Sequence, residues 1–155
     1  MKCKYFNYVV AFLAAMMLPL MSGCGVMKKA EQRKLSIMCI SNLKQLNLGT
    51  MMYSVDNDDN LPEAQGWEEH VKIYVGDDAP FTCPACKKRY TYLGNGQKIG
   101  EYKEKDKVIV FVCEGNHLGR TNVAFLDGHL ESLNPEEVNV AVEAAKADGC
   151  LPIRK

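Results

Sequence analysis

The chain has 155 residues, with 19 basic and 19 acidic side chains, so its formal net charge is zero. That balance excludes a global field steering it toward nucleic acid or an acidic substrate, and no DNA- or RNA-binding motif occurs. With 47% hydrophobic and 25% charged residues, the composition is that of an ordinary globular protein, sized for one small domain.

In chain order, the first segment is a leader. Lys2 and Lys4 form a short basic stretch, and Tyr8 to Leu20 is an uncharged apolar run. A transmembrane helix needs about 20 apolar residues, so the run fits the hydrophobic region of a signal peptide better. Ser22, Gly23 and Cys24 follow. This segment resembles a lipobox, with Met21 where leucine is usual. The resemblance implies cleavage before Cys24, a diacylglycerol thioether on its sulfur, and acylation of the new amino terminus. An uncleaved anchor, or an ordinary signal peptide with an incidental cysteine, are the alternatives. Gly25 stands where an aspartate often retains lipoproteins at the inner membrane, which favours the outer membrane. The expected organisation is a signal peptide over 1–23, a tether over 24–34 and a globular domain over 35–150.

Residues 25–34 are polar and fit a tether or the first turns of a helix. From Glu31 to Ser54 there is no proline, and only Gly49 interrupts. Leu35, Met38, Cys39, Asn42, Leu43, Leu46, Thr50 and Tyr53 recur near helical spacing, which predicts a long helix with one mostly apolar stripe. Asp56 to Pro62 ends it, because Asn and Asp bond their own backbone in turns. Asp56, Asp58 and Asn60 alternate like the start of a calcium loop, but Leu61 replaces the required glycine and Trp67 the closing glutamate. A helix-ending turn is the simpler reading.

Trp67 to Val75 reads as a second, short helix, with His70 on its surface. Phe81 to Lys88 is a cysteine-bearing loop. Tyr90 to Leu93 reads as a short strand. Lys107 to Cys113 is the strongest strand, a continuous run rich in β-branched and aromatic residues. Thr121 to Leu126 and His129 to Leu133 flank Asp127-Gly128, a dipeptide that predicts a two-residue type I′ hairpin. Asn134, Pro135 and Glu137 then give a helix start, and Gly149 its end. The order of elements is that of an α+β domain: a long N-terminal helix packed on a small antiparallel sheet, with a C-terminal helix.

Of seven cysteines, Cys3 leaves with the leader and Cys24 is the lipid site. Cys39, Cys83, Cys86, Cys113 and Cys150 remain. In an oxidising compartment they favour disulfides, and their odd number leaves one thiol over. The rival is a metal site. Cys83, Cys86, Cys113 and His117 show C-x2-C and C-x3-H spacings that could close a tetrahedral zinc site, with His129 as a spare ligand. The pair Cys83-Pro84-Ala85-Cys86 also suits a thiol-disulfide oxidoreductase. That chemistry needs the pair at a helix N-terminus, and the KKRYTYLGNG that follows is a poor helix. His117 and Asp127 could be a catalytic pair, but no nucleophile has a recognisable motif around it. The reading is therefore not an enzyme.

Four stretches together carry a further resemblance. These are Cys39 to Pro62 (CISNLKQLNLGTMMYSVDNDDNLP), Phe81-Thr82-Cys83-Pro84, Tyr92-Leu93-Gly94-Asn95-Gly96, and His117 to Gly128 (HLGRTNVAFLDG). They resemble type II secretion-like pseudopilins, and His117, Asp127 and Gly128 match the H-x9-D-G signature of a prepilin-processing-associated domain. The resemblance implies a pilin-like fold, a scaffolding or binding role, and secretion or pilus components as partners. The chain lacks the peptidase site before Phe and the apolar Glu-bearing helix that pack such filaments. A lipid anchor would supply membrane attachment instead.

Overall fold

The computed structural model of the chain describes residues 23–148 and 151–153. The leader and Cys150 lie outside the described residues, as does the side chain of Cys24. Gly149, the expected end of the last helix, lies outside them too.

Helix α1 runs from Gly23 to Asp56, 34 residues or about 51 Å. It takes in both the polar segment before Lys34 and the expected long helix. Residues 27–34 are helical and exposed on all sides. Burial begins with Cys39 and continues through Leu43, Leu46, Asn47, Thr50 and Ser54. That i, i+4, i+7 pattern is one helix face. Met38, placed on the stripe by spacing, is 45% exposed. It sits one residue off the seam, where 100° of rotation turns it to solvent.

After Asp56 the chain reverses through Asp58 and Asp59, both at positive φ, and the Asp59 amide donates to the Ser54 carbonyl. Helix α2 is Trp67–Val75, as expected, and crosses α1 at Gly49. A side-chain carbon there would stand 2.8 Å from Val75 Cγ2, so glycine is what allows the two helices their approach. His70 is exposed, as expected.

Strands β1 (Thr91–Tyr92), β2 (Ile109–Val112), β3 (Thr121–Phe125) and β4 (Leu130–Leu133) form one antiparallel sheet in sequential order. Helix α3 (Pro135–Asp148) follows. The Asn134 side chain accepts from the Glu136 amide at 3.1 Å, the expected N-cap. All residues of β2 and β3 are buried, because the sheet is covered on both faces. One face meets α1 and α2 through Val110, Phe111, Ala124 and Leu126. The other meets Val138 of α3 through Ile109, Val112, Val123 and Phe125. Leu151, after α3, is buried on the α1 side, and the Ile109 amide donates to the Pro152 carbonyl. The fold is therefore the expected α+β arrangement of long helix, small antiparallel sheet and C-terminal helix.

Two local details decide what reaches the site. The β2–β3 register shifts between Ile109 and Phe111. This bulge breaks strict alternation, so Val110 and Phe111 both belong to the α1 side while Ile109 and Val112 belong to the other. Cys113 then follows on the α1 side. The second detail is the Asp127-Gly128 turn. Only Gly128 has positive φ, at 97°, so the expected type I′ turn, which needs positive φ at both residues, does not form. The Gly128 amide instead donates to the Phe125 carbonyl, and Phe125 to that of His129, a longer turn closed by a left-handed glycine. Asp127 is free to cap it, and its carboxylate accepts from the His129 amide at 3.1 Å.

Two outcomes follow for stability. Asn47 Nδ2 donates to the buried Phe125 carbonyl at 2.8 Å, and Asn47→Ala should cost about 1–3 kcal/mol in urea denaturation. For Asp127, burial alone would raise the pKa, but the amide, ring and charge of His129 together hold it below the ordinary carboxylate value. A depressed folded-state pKa means stability that is present above about pH 4 and lost as the pH falls through the folded value. Amide exchange at Phe125 should therefore accelerate in acid in the native chain, and show no such acid step in Asp127→Asn.

Candidate metal centre

Four elements each bring one soft donor to the same place. Cys39 comes from the buried face of α1, five residues after its exposed stretch ends at Lys34. Cys83 comes from the tight loop that follows Phe81. Cys113 follows β2 directly, and His117 precedes β3. Their ligand atoms all lie within 4.8 Å of one another. Their exposures are 0%, 0%, 1% and 5% in chain order.

Local structure positions each donor. The Cys83 loop is closed by its own backbone, with the Cys83 amide donating to the Lys88 carbonyl and the Lys87 amide to that of Cys83. Asn42 of α1 ties this loop down by donating to the Thr82 carbonyl at 3.1 Å. The Cys113 amide donates to Asn122 across the ladder. His117 and Arg120 exchange both backbone hydrogen bonds around a turn at Leu118-Gly119. The His117 ring is thereby turned inward, with Nε2 3.1 Å from Cys113 Sγ and 3.6 Å from Cys83 Sγ. A tetrahedral zinc site with ordinary bond lengths has sulfur–nitrogen and sulfur–sulfur edges of about 3.5–3.8 Å. The two sulfur–nitrogen edges to His117 are thus within about half an ångström of such a shell.

The surroundings suit thiolates. Backbone amides of Cys86 and Ala85 bond to the Cys83 sulfur, and that of Gly115 to the Cys113 sulfur. Hydrogen bonds to the charged form favour it. Cys39 is held well below the usual thiol range, to about 5, by the Cys113 thiol, against the opposing effect of burial; Asn122, Tyr90 and the His117 charge add to the lowering. Burial pushes Cys83 up, and donation to Cys39 together with burial pushes Cys113 up. Without an ion, burial opposes charge on Cys83 and Cys113, while the hydrogen bond from Cys113 favours it on Cys39. Tyr90 also donates to the Cys39 carbonyl at 3.2 Å. Asn122 Nδ2 is buried without a hydrogen-bond partner, and it lies near enough to the Cys39 sulfur to favour the thiolate there.

The expected zinc set was Cys83, Cys86, Cys113 and His117. Three of these meet, but Cys86 does not belong to the cluster, and Cys39 takes its place. The tight turn points Cys83 into the core and leaves Cys86 partly exposed at its rim. Cys39 stands 44 residues before Cys83, and no local spacing marks it. Its position on the helix stripe was the available signal. Asn122 was missed as well, although a lone amide in the otherwise non-ionic, fully buried strand TNVAF is the sort of residue that needs a reason. Cys39, Cys83, Cys86 and Cys113 are free thiols in the structure. The Cys83–Cys86 pair sits in a loop, not at a helix N-terminus, so the dipole that activates such pairs in oxidoreductases is missing.

The H-x9-D-G residues separate. His117 lies in the cluster, while Asp127 and Gly128 form the hairpin at the far end of β3. Their spacing spans that strand, and they make no catalytic pair. His129 pairs with Asp127 and is not among the clustered donors. No described helix is long and apolar enough to cross a membrane. No protein-family model, curated protein or solved structure matches the chain.

Gly115, in the Cys113–His117 loop, packs closely against the Cys83 loop. A side-chain carbon there would stand 2.8 Å from both Cβ and Sγ of Cys86. Gly115→Ala should therefore destabilise the protein by about 1–3 kcal/mol through overpacking, read as a lower urea midpoint with an unchanged slope.

Proposed function

We propose that the chain is a lipid-tethered, non-enzymatic envelope module whose head is locked by a structural zinc ion on Cys39, Cys83, Cys113 and His117. The observation that carries this is the convergence of four buried soft donors from four separate elements. Three sulfurs and one imidazole match zinc, and hard cations prefer oxygen. Four protein ligands leave no open position for substrate or water, which distinguishes a structural site from a catalytic one. The bound ion would neutralise charge that is otherwise buried. It would also join helix, loop and sheet at one point, a role disulfides fill in other exported proteins.

The tether and its setting rest on the sequence: the lipobox-like Ser22-Gly23-Cys24, and the motifs resembling type II secretion-like pseudopilins. On that footing the head is a scaffolding or binding module, held at the outer membrane and working beside secretion or pilus components.

The purified protein should carry one zinc per chain by elemental analysis. Cys39→Ser and Cys113→Ser should each lose it, and Cys86→Ser should keep it. Zinc binding in small domains is worth on the order of 10 kcal/mol, comparable to a whole domain's stability. A strong chelator should therefore abolish or sharply lower the cooperative melt. Metal-free protein with fewer than four titratable thiols among Cys39, Cys83, Cys86 and Cys113 would mean disulfides instead, and would end the zinc reading. Intact mass of membrane-extracted protein should show a diacylated or triacylated chain starting at Cys24. A retained leader or an unmodified terminus would remove the tether.

A further inference from the structure

The four clustered donors are closed off from solvent, which raises the question of how an ion reaches them. One surface feature adjoins them, a cleft of about 490 Å³ whose lining includes Cys86, Asn116 and His117. Its His117 is the only one of the four clustered donors on that lining, and the His117 Nδ1 atom has no hydrogen-bond partner. Cys86 is the one described cysteine that is not fully buried. Its sulfur and His117 Nε2 lie 2.8 and 3.3 Å from a single point, the place a side chain on Gly115 would fill. Nothing occupies that space because residue 115 is glycine. Cys86 also belongs to the same tight loop as Cys83, and its amide bonds to the Cys83 sulfur.

We propose that Cys86 is the loading thiol of the metal site, capturing a divalent ion in the cleft and passing it inward by ligand exchange. The proposal rests on the zinc reading above. Cys86 gives its proton to water and binds the hydrated ion as a thiolate, displacing a water. The lone pair of His117 Nε2 replaces a second water. Cys83, Cys113 and Cys39 then take their places, each giving up whatever thiol proton it holds. Cys86 leaves last and regains a proton from solvent. No electron transfer is involved. A thiol already in the cleft makes the later steps intramolecular, which raises the local ion concentration at the buried donors.

Stopped-flow uptake of zinc by reduced, metal-stripped full-length protein, followed by a competing chromophoric chelator, tests this. Cys86→Ser should bind one ion with affinity close to that of the native chain. Its uptake and its release to chelator should both slow by about tenfold or more, since a relay speeds both directions alike. Cys86→Ala, which removes the ligand atom without adding a hydroxyl, should behave the same way. Unchanged rates in both variants would overturn the proposal. So would loss of the ion, because Cys86 would then be a permanent ligand. A native chain that binds no zinc at all would instead show that the underlying metal reading has failed.

Discussion

Burying three thiols and an imidazole side by side is the constraint around which this molecule is arranged. Desolvation penalises every thiolate there, and each thiol that stays protonated needs an acceptor. The structure answers with donors at each sulfur: amides of Ala85 and Cys86 at Cys83, the Gly115 amide at Cys113, and Asn122 with Tyr90 near Cys39. Each of these supports comes from an element that also packs the core. Tyr90 is buried among Leu43, Phe81 and their neighbours, so the hydrophobic core and the polar cluster share one set of walls.

The sheet makes that sharing possible. With both faces covered, β2 and β3 have no solvent side, and the face of each residue is set by strand alternation alone. The bulge at Val110 changes that count by one, and without it Cys113 would face α3 rather than α1. On the neighbouring strand, Asn122 alternates with Val123 and reaches the α1 side beside Ala124. A one-residue change in β2 would thus separate Cys113 from Cys39 while leaving the hydrophobic composition of the core unchanged.

On the proposed zinc reading, a four-donor shell with no open position would act as a rivet. The cluster lies where α1 leaves its exposed N-terminal turns and enters the domain, the point at which the proposed tether would pull on the head. A cross-link there resists detachment of the helix from the sheet more directly than one placed near α3 would.

The sequence alone determined the elements. The helix stripe, the β-branched run before Cys113, the turn at Asp127-Gly128 and the cap at Asn134 are all local signals, written in residues that are neighbours along the chain. It also determined three of the four clustered donors, because Cys83, Cys113 and His117 carry recognisable short spacings. Only the tertiary structure decided the fourth. On paper the C-x2-C spacing favours Cys86 over Cys39, and the outcome depends on which face of α1 is buried and which way the Cys83–Lys88 loop turns. The turn at Asp127 also departs from expectation, with positive φ at Gly128 alone and the Asp127 carboxylate accepting from the His129 amide two residues on. Local chemistry fixes what a segment can be. Which side chains meet depends on the parity of strands and the rotation of helices, and those are properties of the assembled fold.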